Sequence, residues 1–259
     1  MRRRGDWADE WVLVDGDVTI VGDVVLRPSR PWTPTVHALL SHLRATGLTC
    51  VPEPIGVRDG VEALTHLPGD SGGDAWRHQV SDDGVRSAAR LLREVHDATR
   101  GWEPPDDAEW AFPPVPGADV VCHGDPGPWN MVWRDGEAVG LFDWDLAHPA
   151  PALDDVAYAL EYFTPFRSDD HACDDRDGHH FPEPPDRRGR LRSFATAYGL
   201  GTTSGLVDRV IARQAATVEH CSDLAERGLQ PQKSWVEDGY LDELRSRVRW
   251  SREHRRLFD

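Results

Sequence analysis

Short apolar runs separated by Gly and Asp dominate the first third of the chain. Three such runs, Trp11–Val14, Val18–Val21 and Val24–Arg27, follow one another across Asp-Gly and Gly-Asp dipeptides that are typical of hairpin turns. A further pair, Val51–Val57 and Val61–Leu67, flanks another Asp-Gly turn. The pattern predicts a small region of short antiparallel strands.

Helical periodicity appears once within this region and dominates after it. Apolar residues recur every three to four positions between Pro34 and Gly47, which predicts a single helix. The segment 68–73, rich in Gly and Asp, is the predicted boundary. Beyond it, the predicted helices span 81–100, 151–163, 205–227 and 234–257. We therefore expect an α+β fold with a β-rich N-terminal lobe at 1–69 and a larger helical lobe at 70–259.

A short strand and a hairpin interrupt the helical region. Val120–Cys122 is the predicted strand, and Met131–Arg134 and Ala138–Asp143 form the hairpin around an Asp-Gly turn. Because a tight turn brings the outer ends of two strands together, Asn130 and Asp143 are expected to lie at the same end of the hairpin. Two lobes of this kind commonly place the active site in the cleft between them.

The loop before the hairpin combines a carboxylate with restricted backbone. Asp125 lies in a segment with two prolines and two glycines, which stiffen the chain and let its backbone approach a ligand closely. Asp125, Asn130 and Asp143 offer carboxylate and amide oxygens, and Mg²⁺ prefers such ligands together with substrate phosphates. The spacing therefore favours a site for a metal–nucleotide complex.

These motifs resemble the phosphotransferase family of aminoglycoside and choline kinases. The catalytic loop of that family reads H-G-D-x-x-x-x-N, as residues 123–130 do here, and its metal-binding aspartate follows a short hairpin, as Asp143 does. The resemblance implies a two-lobed protein-kinase-like fold, here with a shortened N-terminal lobe, and ATP or GTP as donor. It implies that Asp125 is the catalytic base and that Asn130 and Asp143 bind Mg²⁺.

Two further carboxylates lie close to these residues in sequence. The run 151–157 also resembles the family, and Asp155 is expected to cap its helix or to hold the catalytic loop. Asp145 follows Asp143 by two residues and would share its face on a continuing strand. A contact with metal or substrate and a solvated loop carboxylate remain equal alternatives for Asp145.

The N-terminal lobe departs from the pattern of related kinases, which hold the phosphates with a strand lysine paired to a helix glutamate. The only lysine among the 29 basic residues is Lys233, far into the second lobe. Arg27 ends the corresponding strand and is expected to bind phosphate in place of lysine, while His37 stands near the expected glutamate. His66 and Leu67 would form the hinge whose backbone meets the nucleotide base.

Composition limits the partners. A formal net charge of −16 excludes a general nucleic-acid binder or a polybasic membrane-surface protein, and 39% hydrophobic residues with 11 Trp exclude a disordered acidic chain. Without a signal-like or membrane-spanning apolar run, we expect a cytoplasmic protein. The four cysteines show no metal-ligand spacing. Oligomeric state stays open.

The expected function is magnesium-dependent transfer of a γ-phosphate to a hydroxyl of a small molecule. The acidic charge, including the acidic segment 169–177, fits a cationic acceptor, and an aminoglycoside-like compound is favoured. A sugar, an amino alcohol or a nucleoside antibiotic is the alternative acceptor. A nucleotide-binding pseudokinase without transfer activity is the alternative from another class, because the lysine–glutamate pair is missing.

Overall fold

The structure is a computed structural model that describes residues 18–174 and 181–258. The strand predicted at 11–14 and its Asp-Gly turn lie outside the described residues. Within these two ranges, no helix is long and apolar enough to span a bilayer.

A four-stranded antiparallel sheet forms the N-terminal lobe, in the order β1-β2-β4-β3. Its strands are β1 (Thr19–Val21), β2 (Val24–Pro28), β3 (Pro54–Arg58) and β4 (Val61–Thr65). The predicted Gly-Asp turn joins β1 to β2, and the Asp-Gly turn joins β3 to β4. The predicted strands 51–57 and 61–67 are shorter or displaced in the structure, because the first pairs only from Pro54 and the second ends at Thr65.

Helix α1 (Thr33–Ala45) begins close to the predicted Pro34, which lies in its first turn, where a missing backbone N–H costs nothing. Its buried apolar residues recur with helical spacing and pack toward the helical lobe: Val36, Leu39, Leu40 and Leu43. The main hydrophobic cluster contains these residues together with core residues of the second lobe. Helix α1 therefore packs on the core of the second lobe, whereas the sheet has a separate small cluster of Val24, Leu26, Val61 and Ala63. The boundary at residue 69 stays a prediction.

The second lobe is mainly helical. Its helices are α2 (Asp82–Thr99), α3 (Ala152–Phe163), α4 (Asp169–Ala172), α5 (Arg187–Tyr198), α6 (Leu206–Glu226), α7 (Gln232–Glu237) and α8 (Tyr240–Glu253). Its strands are β5 (Val120–Cys122), β6 (Met131–Arg134), β7 (Glu137–Leu141) and β8 (His148–Ala150). Strands β6 and β7 form the predicted hairpin, and β5 pairs with β8. The two-lobed α+β architecture is confirmed.

The C-terminal part differs from the sequence-based prediction. The single helix expected at 234–257 is divided into α7 and α8 at Gly239, whose φ of 89° is left-handed and incompatible with a continuous helix. The sequence pattern does not predict helix α5. The buried face of α5 contains Arg187 and Arg190 as well as apolar residues. The apolar periodicity that would predict a helix is therefore interrupted.

Candidate active site

The predicted catalytic loop, residues 123–130, follows β5 and ends in a short 3₁₀ turn, Pro128–Asn130. Gly124 has a φ of 88°, and a Cβ at this position would lie 2.2 Å from the backbone oxygen of Leu146. The neighbouring His123 is fully buried, and its Nε2 hydrogen-bonds the Phe142 carbonyl oxygen at 2.8 Å. Both contacts hold the loop against the chain that follows β7.

Asp155 anchors this loop from the first turn of α3. Its carboxylate accepts hydrogen bonds from the backbone amides of His123, at 2.6 Å, and Gly124, at 2.9 Å. His96 Nε2 on α2 hydrogen-bonds the same carboxylate at 3.0 Å. Burial raises the pKa of Asp155, but these partners outweigh burial and bring the pKa to about 2. The predicted choice between capping and loop anchoring is resolved in favour of anchoring, since no side chain caps α3.

Asp125 is partly buried and contacts the indole of Trp129. Its Oδ2 accepts hydrogen bonds from Asn130 Nδ2, at 2.9 Å, and Trp129 Nε1, at 3.4 Å. Among the described residues, its buried Oδ1 has no hydrogen-bond partner. Burial raises the pKa of Asp125 to about 7 and the negative charge of Asp143 adds to this, while hydrogen bonds from Tyr158, Trp129 and Asn130 lower it. A carboxylate with a pKa near neutrality suits the acceptance of a proton.

Asn130 and Asp143 meet at the open end of the β6–β7 hairpin. The Phe142 amide donates to the Asn130 carbonyl oxygen at 2.9 Å, which closes the hairpin just before Asp143. Because the Asn130 amide nitrogen is bonded to Asp125, its amide oxygen is the atom that could ligate a cation. Asp143 adopts a left-handed φ of 62° and keeps 46% of its side chain exposed. The donor set is amide and carboxylate oxygen, which fits Mg²⁺.

Arg27 reaches this group from β2 of the other lobe. Its Nη1 donates to Asp143 Oδ1 at 2.7 Å and its Nη2 to Asp145 Oδ1 at 2.8 Å. Its Nε donates to Glu62. Burial lowers the pKa of Arg27, but Asp145, Asp143 and Glu62 together raise it above the usual range. The predicted phosphate-binding cation therefore lies beside the predicted metal ligands.

Asp145 belongs to the same cluster, although it is not on a continuing strand. The chain turns after Asp143 into the 3₁₀ turn Trp144–Leu146, and Asp145 still reaches Arg27. Burial raises the pKa of Asp145 to about 6, opposed by the positive charge of Arg27. Asp145 is therefore not a solvated loop carboxylate, the second of its two alternatives, because it is paired with Arg27.

Glu62 on β4 is a member of the cluster that the sequence motifs did not indicate. Its side chain is 1% exposed, and its partners are Arg27 and His37 Nε2, the latter at 2.8 Å. The available signal was an acidic residue inside the otherwise apolar run 61–64. His37, which the sequence predicts near the expected glutamate, is a partner of this carboxylate.

His66 and Leu67 follow β4 directly, at the junction of the lobes. The backbone amide of His66 donates to the Asp23 carbonyl oxygen at 2.8 Å, so this donor is used within the N-terminal lobe. The lobes are also joined nearby by two backbone hydrogen bonds between Asp70 and Trp133, at 2.8 and 2.9 Å. A nucleotide contact at His66 and Leu67 stays a prediction.

Known proteins with related sequences and structures point to one family. Residues 106–191 match the family model described as "Phosphotransferase enzyme family". This range includes Asp125, Asn130 and Asp143. The chain is 31% identical over 264 residues to the trifolitoxin immunity protein of Rhizobium leguminosarum bv. trifolii, covering 97% of this chain and 98% of that protein.

Solved structures with low sequence identity share the fold. A choline/ethanolamine kinase family protein from Mesorhizobium loti has a TM-score of 0.55 at 14% identity, over 91% of this chain and 89% of that one. A spectinomycin phosphotransferase, solved with ADP and spectinomycin, has a TM-score of 0.55 at 11% identity, over 88% and 84%. With the catalytic loop and hairpin in the expected arrangement, the chain belongs to the phosphotransferase enzyme family and has its two-lobed kinase-like fold.

Proposed function

We propose that this chain transfers the γ-phosphoryl group of ATP or GTP to a hydroxyl group of a small molecule in a magnesium-dependent reaction. The observation that carries the proposal is the convergence of Asp125, Asn130, Asp143 and Arg27 at the junction of the two lobes. A base, two hard oxygen donors and a cation are the parts that phosphoryl transfer requires.

Asp125 acts as the base in this reaction. The acceptor hydroxyl oxygen forms a bond to the γ-phosphorus while the bond from that phosphorus to the β–γ bridging oxygen breaks. The hydroxyl proton passes to the Asp125 carboxylate, whose pKa of about 7 suits a base that works near neutral pH. Trp129 and Asn130 hold Oδ2, which fixes the direction in which the carboxylate faces.

Asn130 and Asp143 would hold Mg²⁺ through their side-chain oxygens. When bound, the ion neutralises charge on the β- and γ-phosphate oxygens. Arg27 supplies a second positive charge from the opposite lobe, and its Nη1 and Nη2, which contact Asp143 and Asp145 here, are the groups that would contact phosphate. Charge neutralisation from both sides of the cleft supports transfer without a lysine.

The acceptor that we propose is a hydroxyl group on an antibiotic or toxin, with an aminoglycoside-like compound first in order. The immunity function named for the relative and the spectinomycin bound to a fold neighbour support this class. Trp129 beside Asp125 is partly exposed and packs on the buried rings of Tyr162 and Tyr158, at 4.6 and 6.5 Å between ring centroids, so its indole is a surface that a ring-shaped acceptor could contact.

The test is a phosphate-transfer assay with Mg²⁺ and either ATP or GTP over a panel of acceptors. The panel contains aminoglycosides, spectinomycin, sugars, choline and nucleoside antibiotics, and product is detected by mass as one added phosphoryl group. Transfer to one class, lost in the Asp125→Asn variant, supports the proposal. Tight Mg-nucleotide binding without transfer to any class would favour the pseudokinase instead.

A further inference from the structure

Glu62 is a carboxylate in a place where an isolated charge would be costly. Its residue exposure is 0%, in a strand whose neighbours Val61, Ala63 and Leu64 are also buried. A buried carboxylate without partners would bear a large desolvation cost, so its retention requires compensating contacts. Both of its oxygens have such contacts: Oε1 accepts from Arg27 Nε, and Oε2 from His37 Nε2.

The sheet register creates the Arg27–Glu62 pair. Strands β2 and β4 are antiparallel neighbours, and Arg27 lies directly opposite Glu62 in the ladder. Directly opposed residues project from the same face of a sheet, which places the two side chains side by side. His37 reaches the carboxylate from α1, which contains no acidic residue of its own. The anion for the phosphate-binding cation therefore comes from the sheet and not from the helix.

The guanidinium of Arg27 has different partners on its two edges. Nε faces Glu62, whereas Nη1 and Nη2 face Asp143 and Asp145 across the cleft. A planar guanidinium can hold an anion on one edge and present two donors on another, which a single ammonium nitrogen cannot do. Glu62 thus leaves the outer donors directed at the site where phosphates are proposed to bind.

We propose that Glu62 is the positioning residue for Arg27, and that His37 and Glu62 together replace the helix glutamate of related kinases. This inference rests on the proposed function, because it assigns Arg27 to the phosphates of the donor. Glu62 does not touch the nucleotide. It holds the inner edge of Arg27, so that the outer edge can exchange Asp143 and Asp145 for phosphate oxygens without the side chain leaving the cleft.

A double-mutant cycle on nucleotide affinity tests the proposal. Isothermal titration with Mg-nucleotide is performed on the full chain and on Glu62→Gln, Arg27→Met and the double variant, after circular dichroism confirms folding. Glu62→Gln should weaken binding about 10- to 100-fold, the range for loss of a hydrogen bond to a charged group. In the Arg27→Met background the same change should have less than about a twofold effect, because the two residues act as a unit.

Glu53→Gln is the matched control, since it removes one negative charge from the same lobe at a half-buried site that pairs with Arg44 instead of Arg27. It should bind nucleotide as the wild type does. A role of Glu62 that does not act through Arg27 would make its effect on affinity as large in the Arg27→Met background as in the wild type, and that outcome overturns the inference.

The outcomes separate the inference from the function on which it depends. Wild-type binding that Glu62→Gln leaves unchanged overturns only the role of Glu62. Wild-type protein that binds no Mg-nucleotide overturns the proposed function and this inference with it. Binding that shows the coupling, without transfer to any acceptor, supports the role of Glu62 while contradicting the transferase activity.

Discussion

Arg27 Nη1 lies 2.7 Å from Asp143 Oδ1, and this ion pair joins a strand of the small sheet to the residue that follows the β6–β7 hairpin. The Arg27 side chain is 11% exposed and the Asp143 side chain 46%, so the pair reaches from the interior to the mouth of the cleft. A metal ion at Asp143 would compete with Arg27 for the same oxygen. The contact therefore couples the proposed metal and phosphate sites.

Arg27→Lys is the first variant to examine. A lysine has one nitrogen on a flexible chain and cannot contact Glu62, Asp143 and Asp145 at once, although its charge is the same. We expect Mg-nucleotide affinity to fall about tenfold, equal to the loss of one charged hydrogen bond. Isothermal titration measures the change. Equal or tighter binding by the lysine variant would show that charge alone suffices at this position.

Asp125→Asn should separate catalysis from binding. The amide has nearly the same shape but cannot take the hydroxyl proton, so kcat should fall about 100- to 10,000-fold while the nucleotide Kd stays within about twofold. Steady-state kinetics with the acceptor found in the panel give kcat, and isothermal titration gives the nucleotide Kd. Asp135→Asn is the control, because Asp135 is exposed in the hairpin turn and asparagine tolerates its φ of 53°. A similar kcat in both variants would exclude Asp125 as the base.

Asp155 should make folding sensitive to acid. Its pKa in the folded chain is about 2, below the ordinary carboxyl value of 3.8, so its stabilising effect is complete above about pH 4 and is lost as the pH falls toward 2. A shift of this size corresponds to about 2 kcal/mol of unfolding free energy. Denaturant unfolding between pH 7 and pH 2 should show this loss in the wild type.

The Asp155→Asn variant checks the assignment. It should be about 3 kcal/mol less stable than the wild type at pH 7, since the buried amides and His96 lose a charged partner. Its stability should also decline less steeply in acid. The adjacent Asp154→Asn is the control, because Asp154 is only partly buried and burial raises its pKa. An identical acid profile for Asp155→Asn and wild type would refute the assignment.

Local sequence patterns account for much of the fold and for the catalytic loop. Strand β5 matches its prediction, Val120–Cys122, and α2 lies within one residue of its predicted limits, because both have a clear period and turn signals. Helix α5 is different. Arg187 and Arg190 face inward there and donate to the carbonyl oxygens of Pro165, at 2.9 Å, and Phe163, at 2.7 Å. Such partners, more than 20 residues away, cannot be recognised from periodicity.

The candidate site also contains some residues that local sequence patterns predict and others that only long-range contacts bring together. Asp125, Asn130 and Asp143 belong to one short motif, so their spacing predicts that they meet. Glu62 is separated from Arg27 by 35 residues, and only the β2–β4 register brings the two together. The sequence shows that the usual lysine and glutamate are absent, but the compensating contact depends on a strand alignment that an apolar pattern alone leaves undetermined.

Gly124→Ala should damage the site through the backbone. An added Cβ would lie 2.2 Å from the Leu146 oxygen, and the φ of 88° is itself unfavourable for alanine. Gly136→Ala is the matched control, since Gly136 has a φ of 84° but no atom within 4 Å of the new Cβ. The control should cost about 1–2 kcal/mol of unfolding free energy for the left-handed backbone alone. Gly124→Ala should cost at least about 2 kcal/mol more, because the clash with backbone cannot be relieved by a rotamer change. Denaturant midpoints at equal m-values give the comparison, and equal costs for the two variants would mean that the Gly124–Leu146 approach does not constrain the catalytic loop.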